Sequence, residues 1–258
     1  MKKLLLALLL LSSCGLVQNL FVRKLDYFIA SKVSKRLHLY NKQEKLLDVD
    51  IDNLLNNQAS NANDLIKILD DISIETSLTQ KSKEVLRYYY IMATDISTLI
   101  AKYLAELDRD QTKEFLSKMN EQNRKIEDEL SDFNLEKTHD ALLFFVGPLT
   151  PPQKNILKQN KSIFKQKLSL RYVKRIAMYK KMVEIFLNKD KKQAQFIKLF
   201  SAINDPKQAM VPTKNRSQIY EVIEKLRLTL NAKQIKFFKN KKLEVQELLK
   251  FFIEHKYD

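Results

Sequence analysis

The fold class follows from Leu149-Thr150-Pro151-Pro152-Gln153. A threonine followed by proline and, three places on, by glutamine marks a helix start. The Thr150 oxygen accepts from the amide at the third helical position, and the Gln153 side chain reaches back to the amide of Thr150. Pro151 stands at the first helical position, where its missing N–H costs nothing. The template recurs as Leu107-Asp108-Arg109-Asp110-Gln111 and as Leu230-Asn231-Ala232-Lys233-Gln234. In each copy apolar residues return three or four places after the glutamine: Ile156 with Leu157, Phe115, and Phe237 with Phe238. Leu39-Tyr40-Asn41-Lys42-Gln43 keeps the Leu-to-Gln spacing, with Asn41 as a cap one place late and Glu44 as its reciprocal partner. Repeated helix starts of this kind predict an all-α protein.

Composition agrees. Two glycines, five prolines and no tryptophan leave few tight turns, and the abundant Leu, Lys, Ile, Gln and Glu favour helix. Apolar residues recur at helical spacing over Leu20–Leu39, then from Asn41 to about Leu55. Residues 56–61 read as a polar linker. Further helical patterns run through Leu65 to Ile72, Val85 to Leu104, residues 108–131, a long stretch over 153–188, Asn215–Leu230 and Lys233–His255. Asp205-Pro206 and Val211-Pro212 bracket a break. The expectation is about eight helices in an antiparallel, bundle-like arrangement.

The first fourteen residues carry an address. Met1-Lys2-Lys3 is a positive start, Leu4–Leu11 an apolar run, and Ser12-Ser13 supply small residues before Cys14. That is the layout of a secretory signal, cleaved to leave residues 14–258. The run is short of the roughly 20 residues a membrane span needs. Its Leu-Ser-Ser-Cys end resembles a bacterial lipobox, which implies acylation of Cys14 and a lipid anchor. An ordinary signal peptide with an incidental cysteine is the other reading. Cys14 is the chain's sole cysteine, so no internal disulfide can form. Gly15, where an Asp would retain a lipoprotein in the inner membrane, favours the periplasm-facing leaflet of the outer membrane. The remaining stretch of about 245 residues suits a single helical domain or a subdivision near residue 148.

Charge is unevenly placed. The net of +15 includes Lys2 and Lys3. Residues 14–148 hold 18 basic and 22 acidic side chains, whereas residues 149–258 hold 26 against nine, a net of +17. Lys158, Lys161, Lys165, Arg171, Lys174, Arg175 and Lys181 fall in the densest basic stretch and form a candidate contact surface, with Tyr172 and Tyr179 among them. An extracytoplasmic address points away from nucleic acid and towards headgroups, wall polymers or acidic proteins. A compositional origin stands beside this, since Lys outnumbers Arg 37 to nine.

Leu25-Asp26-Tyr27-Phe28-Ile29, followed by Val33, Leu37, Leu39 and Gln43, resembles the start of an uncharacterised family of proteobacterial lipoproteins. Asn123-Arg124-Lys125 and Gly147-Pro148-Leu149-Thr150-Pro151-Pro152-Gln153 are similar to other recurrent segments of that family. Tyr27 stands where members often carry Trp, and Arg109-Asp110 where they carry Pro-Glu. The resemblance implies an all-helical outer-membrane lipoprotein and brings no catalytic residues with it.

Catalytic and metal signatures are missing. His38, His139 and His255 stand apart, with no partner at metal-ligand spacing. Asp48, Asp50 and Asp52 alternate as in a calcium loop but lack its glycine and closing Glu, which leaves a solvated helix face as their reading. Tyr88-Tyr89-Tyr90 cannot all face one way on a helix, so at least one is expected at the surface as a contact site, with ordinary partial burial the favoured alternative to a contact role. No cofactor or metal is expected. Two functions follow: a tethered interaction or structural protein with a basic C-terminal half, or a Spy-like periplasmic chaperone, whose Leu-Thr-x-x-Gln element Leu149–Gln153 resembles. A catalytic function of unrecognised type would need a convergent pocket.

Overall fold

A computed structural model of the chain describes residues 25–73, 78–188, 190–205 and 213–256. The expected signal segment, Cys14 and the prolines of the 206–212 break lie outside the described residues. Within them the chain is all-helical, with eleven helices. They are α1 (Leu25–Leu37), α2 (Asn41–Asn56), α3 (Ala59–Asp71), α4 (Leu78–Ala105) and α5 (Arg109–Ser131). There follow α6 (Glu136–Val146), α7 (Pro151–Gln159), α8 (Lys161–Leu187), α9 (Lys192–Asn204), α10 (Lys214–Arg227) and α11 (Ala232–Lys256).

The excess over eight has identifiable causes. The stretch 153–188 breaks at Asn160, whose side chain donates to the Ile156 carbonyl (2.8 Å) and so competes with the helix backbone. The helices α6 and α9 are additional. The expected polar linker shrinks to Asn57 and Gln58, because residues 59–61 already belong to α3. Gln58 is buried, and its amide donates to Asp95 on α4 (2.8 Å). The Tyr triplet shows ordinary partial burial. All three are half-buried, with Tyr88 donating to Asp64 (2.9 Å) and Tyr89 edge-on to Tyr90.

Neighbours in sequence pack in part, α1 on α2 and α3 on α4, but the two broadest contacts join remote helices, α4 with α9 and α3 with α11, and α5 also packs on α8. Two apolar cores result. The larger gathers α1–α5 with the C-terminal parts of α8, α9 and α11, around Leu47, Ala101, Tyr103 and Phe196. The smaller centres on Leu157, Val222 and Leu226, with Ile163 and Phe164 from the start of α8. At about 1.5 Å per residue, α8 spans roughly 40 Å and serves both cores.

The glutamine helix starts meet in pairs. Gln111 caps the Asp108 amide (3.1 Å) and donates from Nε2 to Gln43 Oε1 (2.8 Å) and to the His38 carbonyl (2.7 Å). Gln153 and Gln234 cap Thr150 (2.9 Å) and Asn231 (3.2 Å) and donate to each other's Oε1 (3.0 Å). Their second Nε2 hydrogens reach the Thr229 carbonyl (3.0 Å) and the Pro148 carbonyl (2.8 Å). Each acceptor carbonyl lies two residues before the partner's cap, so each clasp ties one helix–helix corner to another. The first start is shifted from expectation: Tyr40, not Asn41, is the N-cap, because Gln43 holds the Tyr40 amide (3.0 Å) in register with the other copies. Glu44 accepts from Ser34 instead. At this corner His38 takes a left-handed φ of 56°, and at the other Gly147 takes 76°. One turn after three of the four glutamines the side chain enters the core, at Leu47, Phe115 and Leu157, whereas Phe238 after Gln234 is half-buried.

Asp50 is not on a solvated face. It accepts from Lys102 Nζ and from Tyr103 Oη, both at 2.7 Å. Burial alone would raise its pKa, but the hydrogen bonds from Lys102 and Tyr103 outweigh that and hold the carboxyl below the ordinary aspartate value. A depressed folded pKa contributes stability above the unfolded value, near ~4, that is lost as pH falls through the folded one. Asp50→Asn is therefore expected to cost about 1 kcal/mol at pH 7, since Lys102 is partly exposed, with the gap to wild type shrinking as pH falls below about 4. Thermal unfolding of both proteins across that range checks it, and a gap that stays constant with pH refutes the pairing.

Candidate functional site: a basic row leading to an apolar cavity

The helix α8 is basic all round. At about 100° per residue, Lys161 and Lys165 lie on one side, Lys174 and Lys181 nearly opposite, and Arg171 with Arg175 between them. Lys158 ends the separate helix α7. All of these are exposed except Arg175, which is half-buried. The expected surface is thus not one patch. Of its two tyrosines, Tyr179 is partly buried against the larger core and Tyr172 is half-buried.

One continuous row does exist. Lys167, Arg171 and Arg175 stand four apart and share a face of α8, which continues into Met178 and Met182. Lys167 stays accessible, yet crowding by protein, then the charges of Arg216 and Arg171, hold its ammonium below the ordinary lysine value. Arg175 lies against α5, where its Nε donates to Asn123 Oδ1 (2.6 Å) and its Nη2 to Gln122 Oε1 (2.9 Å). Arg36 of α1 donates to the same Gln122 oxygen. Two guanidiniums thus converge on one neutral amide. Arg36 stays exposed and Arg175 is half-buried, yet crowding by protein lowers the pKa of both, and for Arg175 the neighbouring charges of Arg36 and Arg171 add to it. Both remain cationic at pH 7, because a guanidinium titrates far above it. None of Arg36, Lys167, Arg171 and Arg175 has a carboxylate partner among the described residues.

The local sequence explains the placement. Leu25, Ile29 and Leu37 fix the buried face of α1, which sets Arg36 at its edge. On α5, Gln111, Phe115, Met119 and Asn123 are all buried and four apart, a row running from the corner clasp to the arginines. Asn123 Nδ2 is a buried donor with no acceptor among the described residues.

Arg36 and Arg175 also line a half-open cavity of about 280 Å³ between α1, α4, α5, α8 and α9. Its walls are apolar, formed chiefly by Leu104, Phe115, Met119, Met178, Met182 and Phe200, with Ser97 the sole other polar residue among the described ones. The arrangement suits recognition. Two guanidiniums and, among the described residues, no anionic side chain line an otherwise apolar chamber. Among the described residues no three His, Cys, Asp or Glu side chains are grouped to hold a metal. His38 lends its backbone carbonyl to the first clasp, while His139 lies in α6 with its Nε2 buried and unpartnered.

Sequence reasoning reached Arg171 and Arg175 but missed Lys167, whose four-residue spacing was readable. Arg36, Gln122 and their meeting carry no local signal. No protein-family model matches the chain, no curated protein matches it, and no solved structure matches its fold.

Proposed function

We propose that this protein is a membrane-tethered helical binding protein of the bacterial cell envelope, holding an anionic envelope component along Lys167, Arg171, Arg175 and Arg36. The observation that carries the reading is that these cations are gathered without a carboxylate partner among the described residues. Crowding like charges destabilises a fold, so a row of this kind needs a compensating role. The choice of side chain supports it. Arginine is scarce, nine residues against 37 lysines, yet Arg36, Arg171 and Arg175 stand together, with Arg216 beside Lys167. A lysine-rich composition accounts for scattered lysines and not for clustered arginines, whose planar forks suit carboxylate and phosphate. Tethering through an acylated Cys14, in the outer membrane facing the periplasm, belongs to the same reading, as does membership of the lipoprotein family the sequence resembles. No helix of the described residues is long and apolar enough to cross a membrane.

The test uses the full chain with Cys14→Ser and flotation with vesicles of two parts phosphatidylcholine to one part phosphatidylglycerol. Each surface cation is worth about 1 kcal/mol against such a membrane, so Lys167→Glu with Arg171→Glu should weaken binding by at least 30-fold. Binding should also fall with salt. Flotation indifferent to both changes sinks the proposal.

A chaperone remains the second reading, favoured by the exposure of Leu170, Val173 and Leu187 on α8. Its motif, however, is occupied, because Gln153 is wholly buried in the corner clasp. Suppression of client aggregation by the Cys14→Ser chain, unaffected by the double reversal, would favour it.

A further inference from the structure

We infer that the ligand of this site is a single-chain anionic amphiphile, its head held between Arg36 and Arg175 and its acyl chain lying in the cavity beneath them. The inference rests on the binding-protein reading above and names the ligand class. Head and tail requirements meet in the same two residues, since Arg36 and Arg175 both line the cavity. An inorganic anion would satisfy the guanidiniums and leave the apolar walls unused. A plain hydrocarbon would fill the walls and leave two crowded cations facing each other across the Gln122 oxygen. An anion at the mouth accepts charge-assisted hydrogen bonds from both forks and screens their repulsion.

Volume sets the tail. An apolar chamber of about 150 Å³ accommodates benzene, so 280 Å³ suits an acyl segment of roughly ten carbons and not the two chains of a phospholipid. The walls can adapt to such a chain. Met119, Met178 and Met182 are unbranched and polarisable, which lets them mould around a flexible tail. The aromatic rings of Phe115 and Phe200 give the chamber its rigid side.

Isothermal titration of the detergent-free Cys14→Ser full chain with sodium dodecanoate, below its micellar concentration, tests this. One site per chain is expected, with affinity rising from hexanoate towards decanoate and levelling beyond about ten carbons. Dodecanol should bind at least tenfold more weakly than dodecanoate. In Arg36→Gln and Arg175→Gln the preference should shrink towards parity, with thermal unfolding confirming that each variant folds. The chain-length series needs no variant and stands if either fails to fold. Dodecyl phosphate in parallel assigns the head: tighter binding of it, or of dodecanoate, marks phosphate or carboxylate within the inferred class. No binding of either, or dodecanol binding equal to dodecanoate in wild type, overturns the inference. If dodecanoate fails while phosphatidylglycerol vesicles still bind through Lys167 and Arg171, the acyl ligand falls and the binding-protein reading stands. If both fail, both fall.

Discussion

Replacing Gln153 with alanine is expected to lower the stability of the chain by about 3 kcal/mol. The residue is fully buried, and its amide is fully used. The oxygen accepts from the Thr150 amide and from Gln234, and the nitrogen donates to the Thr229 carbonyl and to Gln234. Alanine would strand a capping N–H, a carbonyl and half of Gln234 at once, the last of these in a buried pair. Each orphaned buried group costs about 1–3 kcal/mol, and the vacated volume adds a cavity term. Urea unfolding of Gln153→Ala, Gln234→Ala and the double variant measures it. The double should cost clearly less than the sum of the singles, because the second change removes a group already left unpaired. Gln43→Ala should be milder, about 1 kcal/mol, since Gln43 is only half-buried. A Gln153→Ala protein within about 0.5 kcal/mol of wild type would refute the clasp as a structural device.

The clasp also shows where sequence reasoning ends. A Leu followed by a cap and, three places on, a Gln announces a helix start, because capping is a local matter of backbone amides. Which starts meet is not local. Gln43 and Gln111 are 68 residues apart, and Gln153 and Gln234 are 81 apart, and nothing in either motif names its partner. Asp50 was misread for the same reason. Between Asp48 and Asp52 it looks like a solvated acid, and only the fold brings Lys102 and Tyr103 to it. The break at Asn160 was hidden because Ile156, Leu157, Ile163 and Phe164 keep a seven-residue spacing across it. In α9, by contrast, Phe196, Leu199, Phe200 and Ile203 do recur at helical spacing, so its signal was present but short. At the site, Lys167, Arg171 and Arg175 were readable as a row of one helix. Arg36 joins them only because α5 packs against both α1 and α8.

Phe196→Ala is expected to be the most damaging single truncation, about 4 kcal/mol, or roughly 10 °C in thermal midpoint for a chain of this size. Phe196 is fully buried in the larger core. Its ring lies edge-on to Phe186 at 5.1 Å and stacks on Phe200 at 6.2 Å, while Phe186 in turn meets Phe115 at 6.1 Å. The four rings form a continuous wall that joins α5, α8 and α9, and its two outer members, Phe115 and Phe200, face the cavity. Deleting the inner ring removes apolar burial and two aromatic contacts together, and rigid neighbours cannot collapse to fill the space. Phe196→Leu, which keeps most of the volume, should recover more than half of the loss. The same deletion at Phe145, which is 40% exposed on α6, should cost less than about 1 kcal/mol. Thermal unfolding of the three variants separates burial from aromatic content. Equal losses at Phe196 and Phe145 would mean that the aromatic wall does not brace the core, and with it the chamber beneath Arg36 and Arg175.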